Sequence, residues 1–257
     1  MLNANKISII GSGNVGHHLA KELSKVGIEI THVSGHNAQS DLELANEIGA
    51  GVCTIENLPK DQLAIVCVRD EAISKVLNEL DESIPAAYTS GSIQINDLPK
   101  RKYLGVFYPL QTFTKDSEVK ISEVPFFIEA TNTDFSNRLM KLALTISENV
   151  NLASSTERKN MHIAAVMVNN FTNHILHQAK TYSDDNNIDF KHFLPLLYET
   201  VNKLKSDTPF NAQTGPARRG DQETIEDHLS SLEGRSQEIY KLITESIKNT
   251  YPKNDKL

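Results

Sequence analysis

The sequence of 257 residues has no tryptophan, only two cysteines and no apolar run long enough to cross a bilayer. Two cysteines cannot make the disulfide framework of a small secreted protein. We expect Cys53 and Cys67, each within an apolar stretch, to be reduced core residues of a cytoplasmic protein. The N-terminal residues also lack the apolar core of a signal peptide. These absences favour a soluble protein that does not bind a membrane.

Positive charge is also in short supply, with 26 lysines and arginines against 33 aspartates and glutamates. The net charge of −7 gives no support to nucleic-acid binding. The nine histidines form no HxxxH pair backed by an acid, so we predict no metal site. No serine stands in a GxSxG elbow, so the sequence does not favour an α/β-hydrolase.

The first part of the chain alternates short apolar runs with helical patterns. Continuous apolar strands separated by helices predict a parallel sheet covered on both faces. We therefore predict an α/β fold with a Rossmann-like, mostly parallel sheet, followed by a second, all-α domain. The predicted strands are Lys6–Ile10, Ile28–Val33, Leu63–Val68, Ala86–Ser90, Tyr103–Tyr108 and Pro125–Ala130.

Strand patterns stop after about Leu152, and four helical patterns follow. These cover residues 156–182, 189–205, 221–232 and 235–249, and Pro195 is expected to delay or kink the second of them. The change in pattern predicts a dinucleotide-binding domain over residues 1–153. A helical substrate or dimerisation domain is predicted over residues 154–252.

The clearest chemical motif is GSGNVG, which follows the first predicted strand and opens the first predicted helix. In this context three glycines predict a dinucleotide-binding loop: the first allows a tight turn, the second a close approach to a pyrophosphate, and the third close helix–strand packing. The N–H groups of the helix N-terminus would hold the phosphates. The predicted cofactor-binding residues here are Gly11, Ser12, Gly13, Asn14 and Val15.

The second predicted strand ends without the acidic residue that usually accepts from the ribose 2′-hydroxyl of NAD. Without that carboxylate a 2′-phosphate meets no repulsion, and Ser34, His36 and Asn37 are candidates to donate to it. We therefore predict NADP, with NAD as the alternative. His36 is equally well interpreted as a polar loop residue.

Ligands of such sheets bind beyond the carboxyl ends of the strands. Val68 follows the third predicted strand and is a further cofactor-binding candidate, while Asp70 is expected to cap the next helix. Ser90 ends the fourth strand and Tyr108 the fifth, so both are catalytic candidates. Each has a structural alternative, Ser90 as a turn residue and Tyr108 as a packing residue.

The long helical pattern has an unusual polar side, rich in asparagine and histidine where exposed helices prefer lysine and glutamate. Such side chains suit a buried polar network or a substrate site. Histidine exchanges protons near neutral pH, so His162 is the candidate proton donor. Asn169 is a catalytic candidate and Asn170 a substrate-binding candidate. The alternative is a solvated face with ordinary hydrogen bonds.

The stretch FNAQTGPARRGDQETIEDHL (residues 210–229) is expected to connect two helices, with Asp221 capping the second. Capping does not explain its two arginines. One hypothesis is that Gln213, Thr214 and Arg218 hold an anionic group of the substrate. The alternative is a salt bridge at the surface or at a subunit interface.

Five motifs in this order resemble a widespread family of bacterial proteins classed as NADP oxidoreductases: GSGNVG, TSGS, FYPLQTF, HIAAVMVNNFTNHIL and AQTGPARRGD. The family is distantly similar to pyrroline-5-carboxylate reductase, ketopantoate reductase and the deazaflavin-dependent NADP oxidoreductases. The resemblance implies hydride transfer and a homodimer built through the helical domain. The sequence departs from the family at Tyr108, where histidine is common, and at His36, where arginine is frequent.

Two classes of function follow from these patterns. The first is an NAD(P)H-dependent oxidoreductase that acts on a small carbonyl or imine, with a ketopantoate-like keto acid as the specific hypothesis. The second is a non-catalytic dinucleotide-binding sensor or partner protein, favoured by the lack of a strong acid–base pair. A purely structural helical protein would require that GSGNVG bind no ligand.

Overall fold

The computed structural model describes residues 6–251. Helices and strands alternate up to Leu152, as the sequence predicts. The helices of this part begin where a continuous apolar run ends and apolar residues start to recur about every 3.6 residues. The strands are β1 (Lys6–Ile10), β2 (Glu29–Ser34), β3 (Gly51–Val52), β4 (Leu63–Val66), β5 (Ala86–Tyr88), β6 (Leu104–Pro109), β7 (Phe126–Ala130) and β8 (Val150–Leu152). The helices are α1 (Asn14–Lys25), α2 (Ala38–Ile48), α3 (Asp70–Glu79) and α4 (Thr133–Ala143).

The eight strands of the described residues form one sheet in the order β3-β2-β1-β4-β5-β6-β7-β8. All neighbouring pairs are parallel except β6 and β7. Residues 110–125 join these two strands without a crossover α-helix, so β7 returns antiparallel beside β6. The strand order reverses between β1 and β4, which opens a crevice at the carboxyl ends of these two strands.

The core lies on both faces of the sheet. Alternate residues of β4 point to opposite faces, so Ile65 belongs to one apolar cluster and Ala64 and Val66 to the other. Leu19 and Leu23 of α1 join the first cluster, and α3 covers the second. The predicted mostly parallel, Rossmann-like sheet with helices on both faces is confirmed.

The helical part begins with α5 (Ser155–Ala165), a π-helical turn (Val166–Phe171) and α6 (Thr172–Asp185). The predicted single helix over residues 156–182 is therefore helical throughout but not regular. The remaining helices are α7 (Leu194–Lys203), α8 (Pro209–Ala212), α9 (Pro216–Arg219), α10 (Gln222–Ser230) and α11 (Gly234–Thr250). No helix of residues 6–251 combines the length and the apolar character that a membrane span requires.

Contacts divide the chain into two compact units, of which the first ends at Phe171 and the second begins at Thr172. The predicted boundary after residue 153 rests on a different criterion, the change from strands to helices. It follows the last strand, β8, and stays a prediction as a domain boundary.

Two of the three predictions for single residues at helix ends are confirmed. Pro195 is the second residue of α7 and so delays this helix, and the Asp221 side chain caps α10 by accepting from the Thr224 backbone N–H. The expectation for Asp70 is wrong, because Asp70 is the first residue of α3 and Arg69 stands at the cap position without a side-chain capping bond. The carboxylate still lies in the first turn of α3, where its negative charge interacts favourably with the helix dipole.

Candidate active site

The glycine loop between β1 and α1 has the geometry that its sequence predicts. Gly11 adopts a left-handed φ of 106°, and a Cβ there would lie 2.6 Å from the Cys67 carbonyl oxygen. A Cβ on Gly16 would lie 1.9 Å from the Gly11 carbonyl oxygen. These two positions therefore require glycine for the turn and for close packing of α1 against the sheet.

Gly13 differs, because a Cβ there would meet no atom within 4 Å. Open space thus lies directly in front of α1, whose cap residue Gly13 makes no side-chain capping bond and whose first turn has no acidic residue. The first N–H groups of a helix have no partner within the helix, and their positive end attracts anions. The loop therefore fits the pyrophosphate of a dinucleotide.

Two neighbours complete this part of the loop. The side chain of Ser12 is buried, at 7% exposure, whereas Val15 is half-buried. Asn14 is exposed, and its Nδ2 donates to the Phe113 carbonyl oxygen at 2.8 Å. The amide of Asn14 therefore anchors the loop that follows β6, while its backbone N–H stays in the first turn of α1.

The turn after β2 has two exposed candidates for contact with an adenosine ribose, His36 and Asn37. The Ser34 side chain is only 2% exposed, and Asn37 caps α2 by accepting from the Ser40 N–H. His36 is exposed. After β4, Val68 is half-buried and its Cγ1 lies 3.1 Å from the position that a Cβ on Gly11 would take.

A cavity of about 740 Å³ adjoins the glycine loop within the first unit. It brings together six of the predicted site residues, although these come from three separate parts of the sequence. The loop after β6 and the helix α5 with its π-helical turn form the rest of the wall. The cavity is lined by Asn14, Val15, Tyr108, Leu110, Gln111, Thr112, Phe113, Met161, His162, Ala164, Ala165, Val166, Val168, Asn169 and Asn170.

A hydrogen bond joins two side chains of this wall, the Tyr108 hydroxyl and the His162 Nδ1, at 3.3 Å. Burial raises the pKa of Tyr108, partly offset by the positive charge of Arg158, so the hydroxyl keeps its proton at neutral pH. The ring is held from behind, because a Cβ on Gly91 would lie 2.6 Å from Tyr108 Cζ. Tyr108 and His162 are thus a positioned pair with an exchangeable proton.

Arg158 fixes α5 against the sheet one turn before His162. Its side chain is fully buried, and its Nη2 lies 2.7 Å from Glu129 Oε2 on β7. Nη1 donates to the carbonyl oxygens of Ser90 and Ile93 at 2.9 and 3.2 Å. This network fixes the position of α5 over the sheet and its rotation about its own axis. It thereby sets the direction in which His162 points.

Ser90 is a catalytic candidate that does not line the cavity. Its side chain is 5% exposed, and its Oγ accepts from the backbone N–H groups of Ser92 and Ile93, both at 3.1 Å. These contacts are those of a turn residue. Ser90 therefore supports the site from behind, through its turn and its bond with Arg158.

The three predicted substrate residues of the second unit have local partners. Gln213 Nε2 donates to the Thr214 carbonyl oxygen at 2.8 Å. Thr214 lines a separate cavity of about 630 Å³ within that unit. The guanidinium of Arg218 stacks on the Tyr251 ring, 4.4 Å from its centroid. A role for these residues in substrate binding stays a prediction.

Within residues 6–251, no three histidine, cysteine, aspartate or glutamate side chains come together as metal ligands would. The prediction of a site without metal therefore rests on the sequence.

The family model described as NADP oxidoreductase coenzyme F420-dependent matches residues 6–88, and that of a domain of unknown function (DUF2520) matches residues 124–247. A solved structure of a Bacteroides fragilis protein assigned as an NADP oxidoreductase is 36% identical, with a TM-score of 0.88 over 96% of this chain and 100% of that one. The chain belongs to this family of NADP oxidoreductases. The predicted family, enzyme class and cofactor are confirmed.

More distant structures share the fold. A reductive aminase from Aspergillus terreus is 14% identical with a TM-score of 0.72, over 97% of this chain and 96% of that one. A 1-pyrroline-5-carboxylate reductase from Streptococcus pyogenes is 17% identical with a TM-score of 0.63, over 95% and 98%. No curated protein sequence matches the chain significantly.

Several residues of this candidate site do not stand out in the sequence. Arg158 lies in a helical pattern where an arginine is ordinarily exposed, and its partner Glu129 is on a distant strand. Gln111 and Phe113 belong to the quoted FYPLQTF motif and line the cavity, so the motif was the signal for them. Gly91 stands in TSGS, but only its contact with Tyr108 gives the reason for a glycine there.

Proposed function

We propose that this oxidoreductase uses NADPH to reduce a small carbonyl or imine in the cavity beside the glycine loop. The observation that carries the proposal is the Tyr108–His162 hydrogen bond at 3.3 Å, in a cavity whose wall also includes Asn14 and Val15 of the loop. A cofactor held at α1 and a proton donor would then meet in one space. Reduction of C=O or C=N needs both.

The glycine loop would bind the cofactor through its backbone N–H groups, with the pyrophosphate in the open space in front of α1. The residues of this loop are Gly11, Ser12, Gly13, Asn14 and Val15. Val68 would support the loop from β4, and Ser34 would do so from β2, since its carbonyl oxygen accepts from the Gly11 N–H at 2.7 Å. The exposed His36 would face the ribose 2′-phosphate. The turn itself, residues 35–37, has no acidic residue and the neighbouring Asp41 is buried, so NADP is favoured over NAD.

Bound NADPH would supply a hydride to the carbon of the carbonyl or imine. The substrate oxygen or nitrogen then gains electrons and needs a proton. The Tyr108 hydroxyl would donate this proton, because burial raises its pKa and keeps it protonated. His162 would then transfer a proton from solvent back to the tyrosine. Asn169 and Asn170 would orient the substrate from the same wall.

A ketopantoate-like keto acid is one member of this substrate class. Its carboxylate would need a cation. Arg218, together with Gln213 and Thr214, is the candidate for that task in the second unit. Ser90 would contribute through the turn that Arg158 holds.

We also propose that the enzyme is a homodimer through its helical unit. Among residues 172–251 only Ala217, Ile225 and Tyr251 are buried apolar side chains, too few for the core of a stable unit. Many large apolar side chains are exposed instead, and a second copy would cover them. They include Phe193, Leu196, Tyr198, Val201, Leu204, Phe210, Leu242 and Ile243.

Light scattering after size exclusion tests the assembly. We expect twice the chain mass for the wild type, and a lower mass for Leu242→Glu, whose side chain is 68% exposed in the single chain. A wild-type protein of single-chain mass at micromolar concentration would refute the dimer.

Oxidation of NADPH, followed by its absorbance against a panel of ketones, keto acids and imines, tests the reaction. Tyr108→Phe and His162→Gln should each lower kcat at least 10-fold and leave the Kd of NADPH unchanged. Tyr103→Phe and His192→Ala, which lie outside the cavity, are the matched controls and should leave kcat unchanged. Tight NADPH binding without turnover of any panel member would favour the alternative, a dinucleotide-binding sensor.

A further inference from the structure

The wall of the cavity lacks the side chains that are charged throughout the physiological pH range. None of the fifteen lining residues, all within the described part of the first unit, is lysine, arginine, aspartate or glutamate. The polar groups are instead hydrogen-bonding side chains, four of them carboxamides. The carboxamides are Asn14, Gln111, Asn169 and Asn170, and the other polar side chains are Tyr108, Thr112 and His162.

The charged residues of α5 have other tasks. Arg158 is buried and paired with Glu129. Glu157 belongs to a capping box, in which its carboxylate accepts from the Ser154 N–H at 2.8 Å. Lys159 is exposed and does not line the cavity. The helix therefore offers no lysine or arginine to a ligand in this space.

The π-helical turn changes the direction in which Asn170 points from the helix. Residues of a regular α-helix advance by about 100° each, so Asn170 would lie about 80° around the axis from His162. A π-turn accommodates one additional residue, which sets Asn170 back to within about 20° of His162. Asn169 lines the same wall. The turn at Val166–Phe171 thus brings Asn170 to the side of the helix that carries His162.

A cavity with such a wall selects ligands by the charge that the ligand carries. A carboxylate that leaves water without a cation to pair with loses several kcal/mol of solvation. A carboxamide or hydroxyl loses less and regains hydrogen bonds from side chains that both donate and accept. Asn169 and Asn170 offer such bonds beside the proton-donating pair.

We infer that the substrate is uncharged where it enters this cavity and carries a neutral hydrogen-bonding group, a carboxamide, lactone or hydroxyl, next to the carbonyl or imine that is reduced. The inference rests on the proposed function and narrows its substrate class. A keto acid would then be a poorer substrate than its own neutral derivative. The π-turn contributes to this selection because it positions Asn170 at the cavity wall.

Matched pairs of probes test the inference. Ketopantoate is compared with its neutral lactone, and 2-oxobutanoate with 2-oxobutanamide, by NADPH oxidation and by calorimetric binding to the protein without cofactor. We expect kcat/KM at least 10-fold higher, and Kd at least 10-fold lower, for the neutral member of a pair. Higher kcat/KM or tighter binding of the acid in both pairs would overturn the inference and leave the reductase function standing.

Variants test the part played by the π-turn. Asn169→Ala and Asn170→Ala should each weaken binding of the neutral probe about 10-fold without changing the Kd of NADP⁺. Asn173→Ala, on α6 and outside the cavity wall, is the matched control. An unchanged Kd for Asn170→Ala would mean that Asn170 does not face the cavity, and would overturn its positioning by the π-turn.

Binding decides the inference even without turnover. If no probe is reduced, the proposed function fails, but preferred binding of the neutral probes still supports selection by charge. If neither member of any pair binds, the inference fails too.

Discussion

Replacing Arg158 with methionine removes a fully buried cation from behind the candidate active site. Its Nη2 lies 2.7 Å from Glu129 Oε2, and the loss of one member of a buried ion pair costs about 3–5 kcal/mol of folding free energy. Glu129 is 19% exposed, so water reaches the unpaired carboxylate and the cost falls at the lower end. The carbonyl oxygens of Ser90 and Ile93 also lose a donor. We expect a loss of about 3 to 4 kcal/mol in all.

Urea unfolding followed by circular dichroism, at one fixed protein concentration, measures this loss. Arg138→Met is the matched control, because Arg138 makes an exposed ion pair with Asp134 at 2.8 Å and its loss should cost less than about 1 kcal/mol. Adding Glu129→Gln to Arg158→Met removes the unpaired charge and should restore part of the stability. If Arg158→Met behaves like the control, or if the second substitution restores nothing, the buried ion pair does not hold α5 in place.

Three further predictions concern the first unit. Gly91→Ala places a Cβ 2.6 Å from Tyr108 Cζ, so kcat should fall at least 10-fold while the Kd of NADPH is unchanged; an unchanged kcat would show that the tyrosine ring needs no support there. Burial raises the pKa of the Cys67 thiol to about 12, so an aromatic disulfide reagent at pH 8 should label only the half-buried Cys53 in the folded protein, and two fast thiols per chain would contradict this. Burial raises the pKa of Tyr88 to about 12, from about 10 in an unfolded chain, so its contribution to stability is complete below pH 10 and is lost as the pH rises towards 12. Between pH 9 and pH 11 the wild type should lose about 1.3 kcal/mol more than Tyr88→Phe in urea unfolding, and equal losses would refute the assignment.

The glycine loop and the strands around it could be predicted because their signals are local. A strand pattern, a turn that needs glycine and a helix pattern follow one another between Lys6 and Lys25, and the structure has each of them. Tyr108 and His162 could be proposed from their places at a strand end and on a polar helix face. Their hydrogen bond could not, because it depends on how α5 meets the sheet.

The contacts that set this meeting are distant in sequence. Arg158 and Glu129 belong to different elements, and nothing in a helical pattern marks one arginine as buried. The strands β3 and β8 lie at the two edges of the sheet with exposed or half-buried residues, so they lack the apolar run that marks the equally short β5. The π-turn was also missed, because its residues Val166–Phe171 fit a regular helical pattern equally well.

A single crystal structure of the complex with NADP⁺ tests the central claim most directly. We expect the pyrophosphate over the N-terminus of α1, in the open space at Gly13, and the nicotinamide in the cavity with its free face towards Tyr108 and His162. A nicotinamide outside this cavity, or phosphates bound away from the glycine loop, would contradict the account.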